Sequence, residues 1–213
     1  MKGKTANLLF LLSLLMTISA CQRVFTLQEQ EKKLLVYKGF ERLIFESDKG
    51  EKDTIDLLGY EDYFTTERTQ SRNKVKTEHY DLIGVHLDTR EKLKDHLRRT
   101  FLVALTARET KQTVISFNLN FPGKKYFFWN AIDLDSFFAL EDTTLTVDGN
   151  IFSDVVIIEN MYEKEKALAN KQYYISQVFW SISKGFVGFV FSDKTVWQVE
   201  NIARLPLATG LLK

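Results

Sequence analysis

Two histidine–carboxylate pairs are the first residues in this sequence whose types and spacing could support chemistry. His79 and Asp81 lie two residues apart, as do His86 and Asp88, and residues two apart on a β-strand share one face. Imidazole and carboxylate groups ligate transition metals. The two histidines are seven residues apart, however, which places them on opposite faces of a regular strand. We therefore interpret both pairs as surface polar residues and predict no metal site.

A second candidate is an acidic cluster formed by Asp133, Asp135, Glu141 and Asp142. Such carboxylates could hold calcium or act as paired acids, but their spacing lacks the rhythm of an EF-hand loop. A solvated loop is the favoured interpretation of these four residues.

Motifs of the common enzyme classes are missing. The sequence contains no G-x-S-x-G, H-E-x-x-H, P-loop or G-x-G-x-x-G pattern, so no nucleophile, zinc or nucleotide signature is present. An envelope hydrolase whose residues meet only in space stays open as the third alternative. We assign no catalytic residue and no cofactor, and we favour a protein that is not an enzyme.

Aromatic residues are crowded into positions 126–138. On the concave face of a curved sheet, Tyr126, Phe128 and Trp129 could line a pocket for an apolar ligand. A packed core is the favoured alternative, because large aromatic side chains mostly supply buried area. A hydrophobic ligand is thus one candidate partner.

The first residues have the composition of a secretory signal. Lys2 and Lys4 precede the apolar run LLFLLSLLMTI, and the small residues Ser19 and Ala20 follow it, as in signal peptides. The run is too short to span a membrane as a helix, which needs ~20 apolar residues. Cys21, the only cysteine in the chain, comes next.

The stretch Ile18-Ser19-Ala20-Cys21 resembles a bacterial lipobox, in which signal peptidase II cuts before a cysteine that carries diacylglycerol. The resemblance implies lipidation of Cys21 and membrane attachment through N-terminal acyl chains, two or more of which are needed for stable anchoring. Lipidation also explains an odd cysteine in an exported chain. Enterobacterial lipoproteins kept at the inner membrane carry aspartate where this chain has Gln22, which implies an outer-membrane address facing the periplasm.

Composition narrows the class of protein further. The chain has 213 residues, of which 45% are hydrophobic and 13% aromatic, enough for a folded domain with a sizeable core. Its formal net charge is +1, and −1 after loss of Lys2 and Lys4, so no electrostatic case for nucleic acid exists. We expect a signal peptide over 1–20, a tether or short helix over 21–33, and a single β-rich domain over 34–213.

Alternating apolar and polar residues predict about eight or nine strands. In TVISFNLNF, Ile115, Phe117 and Leu119 fall on one face, and the turn Pro122-Gly123 with the returning segment KKYFFWN predicts a hairpin. Asp148-Gly149, between TTLTV and NIFSDVVII, predicts a second hairpin. Further strands are predicted at FERLIFES, DTIDLLGY, VKTEHYDLIGVHL, YYISQVFWS, GFVGFVFS and TVWQVE.

These strands predict a mainly β fold. Short turns between successive strands favour an antiparallel meander that forms a β-sandwich or a strongly curved sheet, a half-barrel, with one or two short helices. A capping-box pattern at residues 88–91 and apolar residues at helical spacing predict a helix over 89–105. A weaker box at residues 26–29 could open a short helix, although a flexible spacer is favoured. Gly149, Gly185 and Gly188 are assigned to turns and to a bulge or close backbone contact.

The C-terminal segments LTVDGNIFSDVVII and YYISQVFWSISKGFVGFVFSDKTVWQV resemble small uncharacterised lipoproteins of the Bacteroidota. The likeness covers the lipobox and roughly the last seventy residues. Phe179-Trp180-Ser181 replaces the usual two tyrosines and serine, and the glycine before Trp197 is missing. The resemblance implies a lipid-anchored envelope protein without an assigned activity.

Two functions are therefore expected ahead of the hydrolase. The first is a non-enzymatic binding or structural role on the periplasmic side of the outer membrane, with an envelope protein as a candidate partner. The alternative is a carrier or sensor of a lipid or other hydrophobic ligand in a curved-sheet cavity.

Overall fold

The computed structural model describes residues 23–68, 74–86, 100–109, 112–120, 127–147, 149–163 and 174–204. Within these ranges the chain forms one 12-stranded sheet. The strands are β1 (Arg23–Phe25), β2 (Glu41–Ser47), β3 (Lys52–Arg68), β4 (Lys74–His86), β5 (Thr100–Thr106), β6 (Val114–Asn118), β7 (Trp129–Asp133), β8 (Thr143–Val147), β9 (Asn150–Glu159), β10 (Ile175–Ser181), β11 (Gly185–Phe191) and β12 (Val196–Arg204). Two short helices, α1 (Glu29–Lys32) and α2 (Leu134–Phe138), and a 3-10 turn at Met161–Glu163 accompany them.

The sheet consists of two antiparallel meanders joined side by side. Strands β2 to β7 form one meander and β8 to β12 the other, and β12 pairs with β2 where the two meet. The predicted mainly β fold is confirmed, and the sheet curls into a half-barrel. Strand β1 lies off this path and runs parallel to β4, with Arg23 opposite Val75.

The curl brings the inner faces of the two meanders into contact. Phe117 of β6 packs edge to face against Trp180 of β10, with ring centroids 5.3 Å apart, and both side chains are almost fully buried. Tyr37, between α1 and β2, also lies inside this contact, and its hydroxyl accepts a hydrogen bond from the Phe186 amide at 2.7 Å. Because aromatic side chains bury about 150–250 Å² each, this face is the main core.

Two predicted turns take the conformations that their residues favour. Val147 of β8 pairs with Asn150 of β9, and Gly149 between them has φ +76°, a left-handed value that glycine adopts without strain. Gly50, between β2 and β3, has φ +77°. The hairpin predicted at Asp148-Gly149 is confirmed, with Asp148 itself outside the described residues, and the strands predicted on either side of Gly50 also pair.

The helix predicted over 89–105 is wrong in its C-terminal part. Residues Thr100–Thr106 form strand β5, between β4 and β6, whereas 88–99 lie outside the described ranges. Phe101 and Ala104 do match a helical spacing, but Leu102 to Leu105 are all buried. Such a continuous apolar run has no alternation, and periodicity alone cannot separate it from a helix.

Three local expectations also change. The strand returning from β6 is β7, Trp129–Asp133, which starts later than the predicted segment 124–130. The acidic cluster, predicted to be a solvated loop, begins with a helix cap. The backbone N–H of Ser136 donates a hydrogen bond to Oδ1 of Asp133 at 2.9 Å, so Asp133 caps α2. The short helix α1 forms, and Gln28 and Glu31 make its capping box. The backbone N–H of Gln28 donates a hydrogen bond to Oε2 of Glu31 at 2.5 Å.

We predict that Gly188→Ala destabilises the fold by about 3 kcal/mol, the upper end of the usual penalty for overpacking. A Cβ at Gly188 would collide with the backbone carbonyl oxygen of Trp197 on the neighbouring strand, which cannot rotate away. Gly84→Ala is the matched control, because its Cβ would meet only the Leu102 side chain, and we expect a loss of about 1 kcal/mol. Urea unfolding measures both, and equal stabilities for the two variants would contradict this account.

Candidate functional site

A groove with a volume of about 980 Å³ lies on the face of β3–β7 opposite to the core. Successive residues of a strand point to opposite faces. On β4, Asp81 therefore lines the groove and Leu82 packs in the core. On β6, Ser116 lines the groove and Phe117 packs in the core. The volume is in the range of small-molecule sites.

The floor of the groove is a straight row of mostly small side chains. Asp81 pairs with Ala104, Ala104 with Ser116, and Ser116 with Ala131. Because adjacent strands lie about 4.8 Å apart, this row crosses four strands over roughly 14 Å. Alanine and serine leave space above the sheet, so the row forms a trough with Asp81 at one end. We call it the β4–β7 trough.

One wall of the trough is polar. His79, two residues before Asp81, stacks on the Tyr63 ring with centroids 5.0 Å apart and planes 7° from parallel. Its Nε2 lies 2.8 Å from the Thr65 hydroxyl, and its Nδ1 lies 3.2 Å from the Thr106 hydroxyl. Both ring nitrogens thus have partners, and the imidazole is held in place as part of the wall.

The opposite wall is apolar and aromatic. Phe101 of β5 and Trp129 of β7 meet edge to face, with ring centroids 5.6 Å apart. Both residues line the groove. Aromatic rings at this position offer flat surfaces to aliphatic chains and to cations.

Asp81 is the most unusual group in the groove. Its side chain is buried, with 5% exposure, and its Oδ2 accepts a hydrogen bond from the Tyr63 hydroxyl at 2.9 Å. Its Oδ1 is buried with no hydrogen-bond partner among the described residues. Burial raises the pKa of Asp81 above its ordinary value, and the bond from Tyr63 and the nearby His79 offset that rise only in part.

The rim of the groove is predominantly acidic. Glu67, Glu109 and Asp133 line it together with a single guanidinium, that of Arg108. The carboxylate of Glu109 is 3.5 Å from Arg23, in an exposed ion pair. The hydrogen bond that the Ser136 backbone N–H donates to Asp133 stabilises the ionised carboxylate and lowers its pKa. Asp133 is therefore ionised at neutral pH. The described lining of the groove therefore carries an excess of negative charge.

The structure divides the residues that the sequence singled out. His79 and Asp81 share a face, as their spacing predicts. Phe128 and Trp129 do not line one pocket, because neighbouring residues of a strand face opposite ways: Phe128 is fully buried in the core and Trp129 lies in the groove wall. Ile18, Ser19, Ala20, Cys21 and Tyr126 lie outside the described residues.

Several groove residues were not foreseen from the sequence. Tyr63, Ala104, Ser116 and Ala131 come from four different strands, and only the register between those strands shows that they are neighbours. Within the described ranges, no group of three or more His, Cys, Asp or Glu side chains is arranged to hold a metal ion. The helices in those same ranges are too short or too polar to cross a bilayer.

Comparisons with protein-family models, with curated proteins and with solved structures find no match for this chain. The resemblance to lipoproteins of the Bacteroidota therefore stays a prediction from sequence motifs.

We predict that Asp81→Asn raises the free energy of unfolding at pH 7 by about 1 kcal/mol, because a neutral amide costs less to bury than an ionised carboxylate. Below the ordinary aspartate pKa of about 3.9, the carboxyl is protonated in folded and unfolded chains alike. As pH rises past that value the unfolded chain ionises first, so the wild type loses stability relative to the variant. Urea unfolding between pH 3 and 7 measures the difference, which should grow with pH. Asp142→Asn, at an exposed site, is the control, and an Asp81→Asn protein less stable than wild type at pH 7 would contradict the prediction.

Proposed function

We propose that this protein is a lipid-anchored lipoprotein of the bacterial envelope that acts by binding a ligand in the β4–β7 trough. Its place is the periplasmic side of the outer membrane. The observation that carries the binding role is Asp81, a buried carboxylate whose Oδ1 has no hydrogen-bond partner among the described residues at the end of an open trough. Desolvating a carboxylate without a partner is unfavourable, and such groups concentrate at functional sites.

The geometry of the groove favours binding over hydrolysis. A glycosidase needs two carboxyl groups about 5–9.5 Å apart, whereas Asp81 and Asp133 lie at opposite ends of the trough, roughly 15 Å apart by strand spacing. A serine hydrolase needs a histidine free to take a proton from its nucleophile. His79 contacts the Thr65 hydroxyl through Nε2, but its Nδ1 faces the Thr106 hydroxyl instead of the carboxylate that orients a catalytic histidine. An envelope hydrolase is therefore the least supported alternative.

The position of β1 links the expected anchor to the groove. Arg23 pairs with Val75, and Val75 lines the groove. Cys21 precedes Arg23 by two residues, and an extended chain spans at most about 3.6 Å per residue. If Cys21 carries acyl chains, this edge of the groove is held close to the bilayer surface.

A carrier of hydrophobic ligands is the second candidate, favoured by the aromatic wall of Phe101 and Trp129. The inner face of the half-barrel is less suited to that role, because Phe117, Trp180 and Phe186 pack against one another there. A hydrophobic ligand would therefore occupy the apolar side of the groove. The acidic rim makes an uncharged lipid a poorer fit than a ligand that carries positive charge.

We predict that Cys21→Ser abolishes incorporation of labelled palmitate and moves the protein from the membrane fraction to the soluble fraction. The thiol is the acceptor for diacylglycerol in lipoproteins, and serine cannot replace it. Ser19→Ala is the matched control, because it keeps a small residue before the cut site and should leave labelling unchanged. Labelling and fractionation that are the same in Cys21→Ser and in the wild type would refute the proposed anchor.

A further inference from the structure

We infer that the ligand of the β4–β7 trough is a linear molecule with at least two ammonium groups, of the chemical class of aliphatic polyamines. This inference rests on the proposed binding function and specifies its ligand.

First, three carboxylates that are at most 6% exposed have different partners. Asp56 is fully buried and its Oδ1 pairs with Arg42 at 2.6 Å. Glu78 is 6% exposed and its Oε1 pairs with Lys32 at 2.6 Å. Asp81 is equally buried, but among the described residues it receives only the neutral Tyr63 hydroxyl. Arg42 and Lys32 thus neutralise Asp56 and Glu78. Asp81 has no cationic partner among the described residues, and we assign that role to a cation of the ligand.

The second argument is the charge of the groove. Four carboxylates, those of Glu67, Asp81, Glu109 and Asp133, line it against one guanidinium and one imidazole. Even with Glu109 paired to Arg23, the described lining keeps an excess of negative charge. Such a cleft concentrates cations and repels anions, so phosphate-bearing or carboxylate ligands are disfavoured.

The third argument is the shape of the trough. Asp81 stands at one end and Asp133, in the neighbouring row, stands at the other, roughly 15 Å apart by strand spacing. Ala104 and Ala131 form a low apolar floor between them, suited to a methylene chain. One ammonium group would pair with Asp81 beside the Tyr63 hydroxyl, and the second would pair with Asp133 at the far end of the polar wall.

Calorimetric titrations of the full lipidated protein in detergent micelles with three ligands test the inference, with micelles alone as the blank. The ligands are spermidine, 1,8-diaminooctane and 1,8-octanediol, which has the same chain as the diamine but no charge. We expect saturable binding of both amines and none of the diol. Asp81→Asn should weaken amine binding at least tenfold, and urea unfolding of the same preparation should show a variant at least as stable as the wild type.

Two further variants separate the trough from general charge effects. Ala131→Leu fills the floor while keeping Asp81, and should weaken binding by a similar factor. Asp142→Asn removes an exposed carboxylate outside the groove lining, and should bind like the wild type.

The inference is overturned if the diol binds as well as the diamine, if neither amine binds, or if Asp81→Asn binds like the wild type. Binding of a neutral oligosaccharide such as maltotriose, lost in Ala131→Leu, would keep the trough as a binding site and exclude the cationic ligand. Failure of the anchoring part of the proposed function is detected separately, by palmitate labelling of Cys21.

Discussion

The register of β4 against its two neighbours is the constraint on which the groove and the core both depend. Asp81 and Leu82 are adjacent, yet one lines an acidic groove and the other is fully buried in the core. A slip of one residue would exchange them, burying a carboxylate among aliphatic groups and exposing leucine. β4 pairs with β3 from residue 74 to 86 and with β5 from 79 to 84. That long ladder, together with the burial of Leu82 and Leu105, fixes the register, and the register places Asp81 at the end of the trough.

The N-terminal segment ties the same strand to the expected membrane anchor. Glu78 of β4 accepts hydrogen bonds from the Leu27 amide at 2.8 Å and from Lys32 of α1. Lys32 also bonds Asp62 at 2.8 Å, and these contacts raise the pKa of Lys32, which keeps its charge. Breaking one member of a buried ion pair is strongly destabilising. The chain that follows Cys21 is thus attached firmly to the back of the sheet that carries the groove. In our account this attachment sets the distance between ligand site and bilayer.

Local sequence patterns predict much of this fold and little of its site. Strand alternation and turn residues such as Gly50 and Gly149 act over a few positions, so hairpins and the meander follow from sequence. Strand β5 did not, because its continuous apolar run has no alternation that would identify a strand. The trough exists because strand pairing places Asp81, Ala104, Ser116 and Ala131 side by side. These residues are far apart along the chain, so only the register between the strands shows that they are neighbours. The pair His79 and Asp81 was the one visible part, since two-residue spacing is sufficient to place both on one face.

Asp81 is, in this interpretation, a desolvated carboxylate that pairs with a cation of the ligand. Carbon-13 NMR of labelled aspartate side chains measures this directly, with Asp133 as an internal reference whose pKa is lowered by its helix cap. We predict that the pKa of Asp81 is above that of Asp133 in the free protein and falls when spermidine is added, because a bound ammonium favours the ionised form. An Asp81 pKa at or below that of Asp133, unchanged by spermidine, would contradict the account.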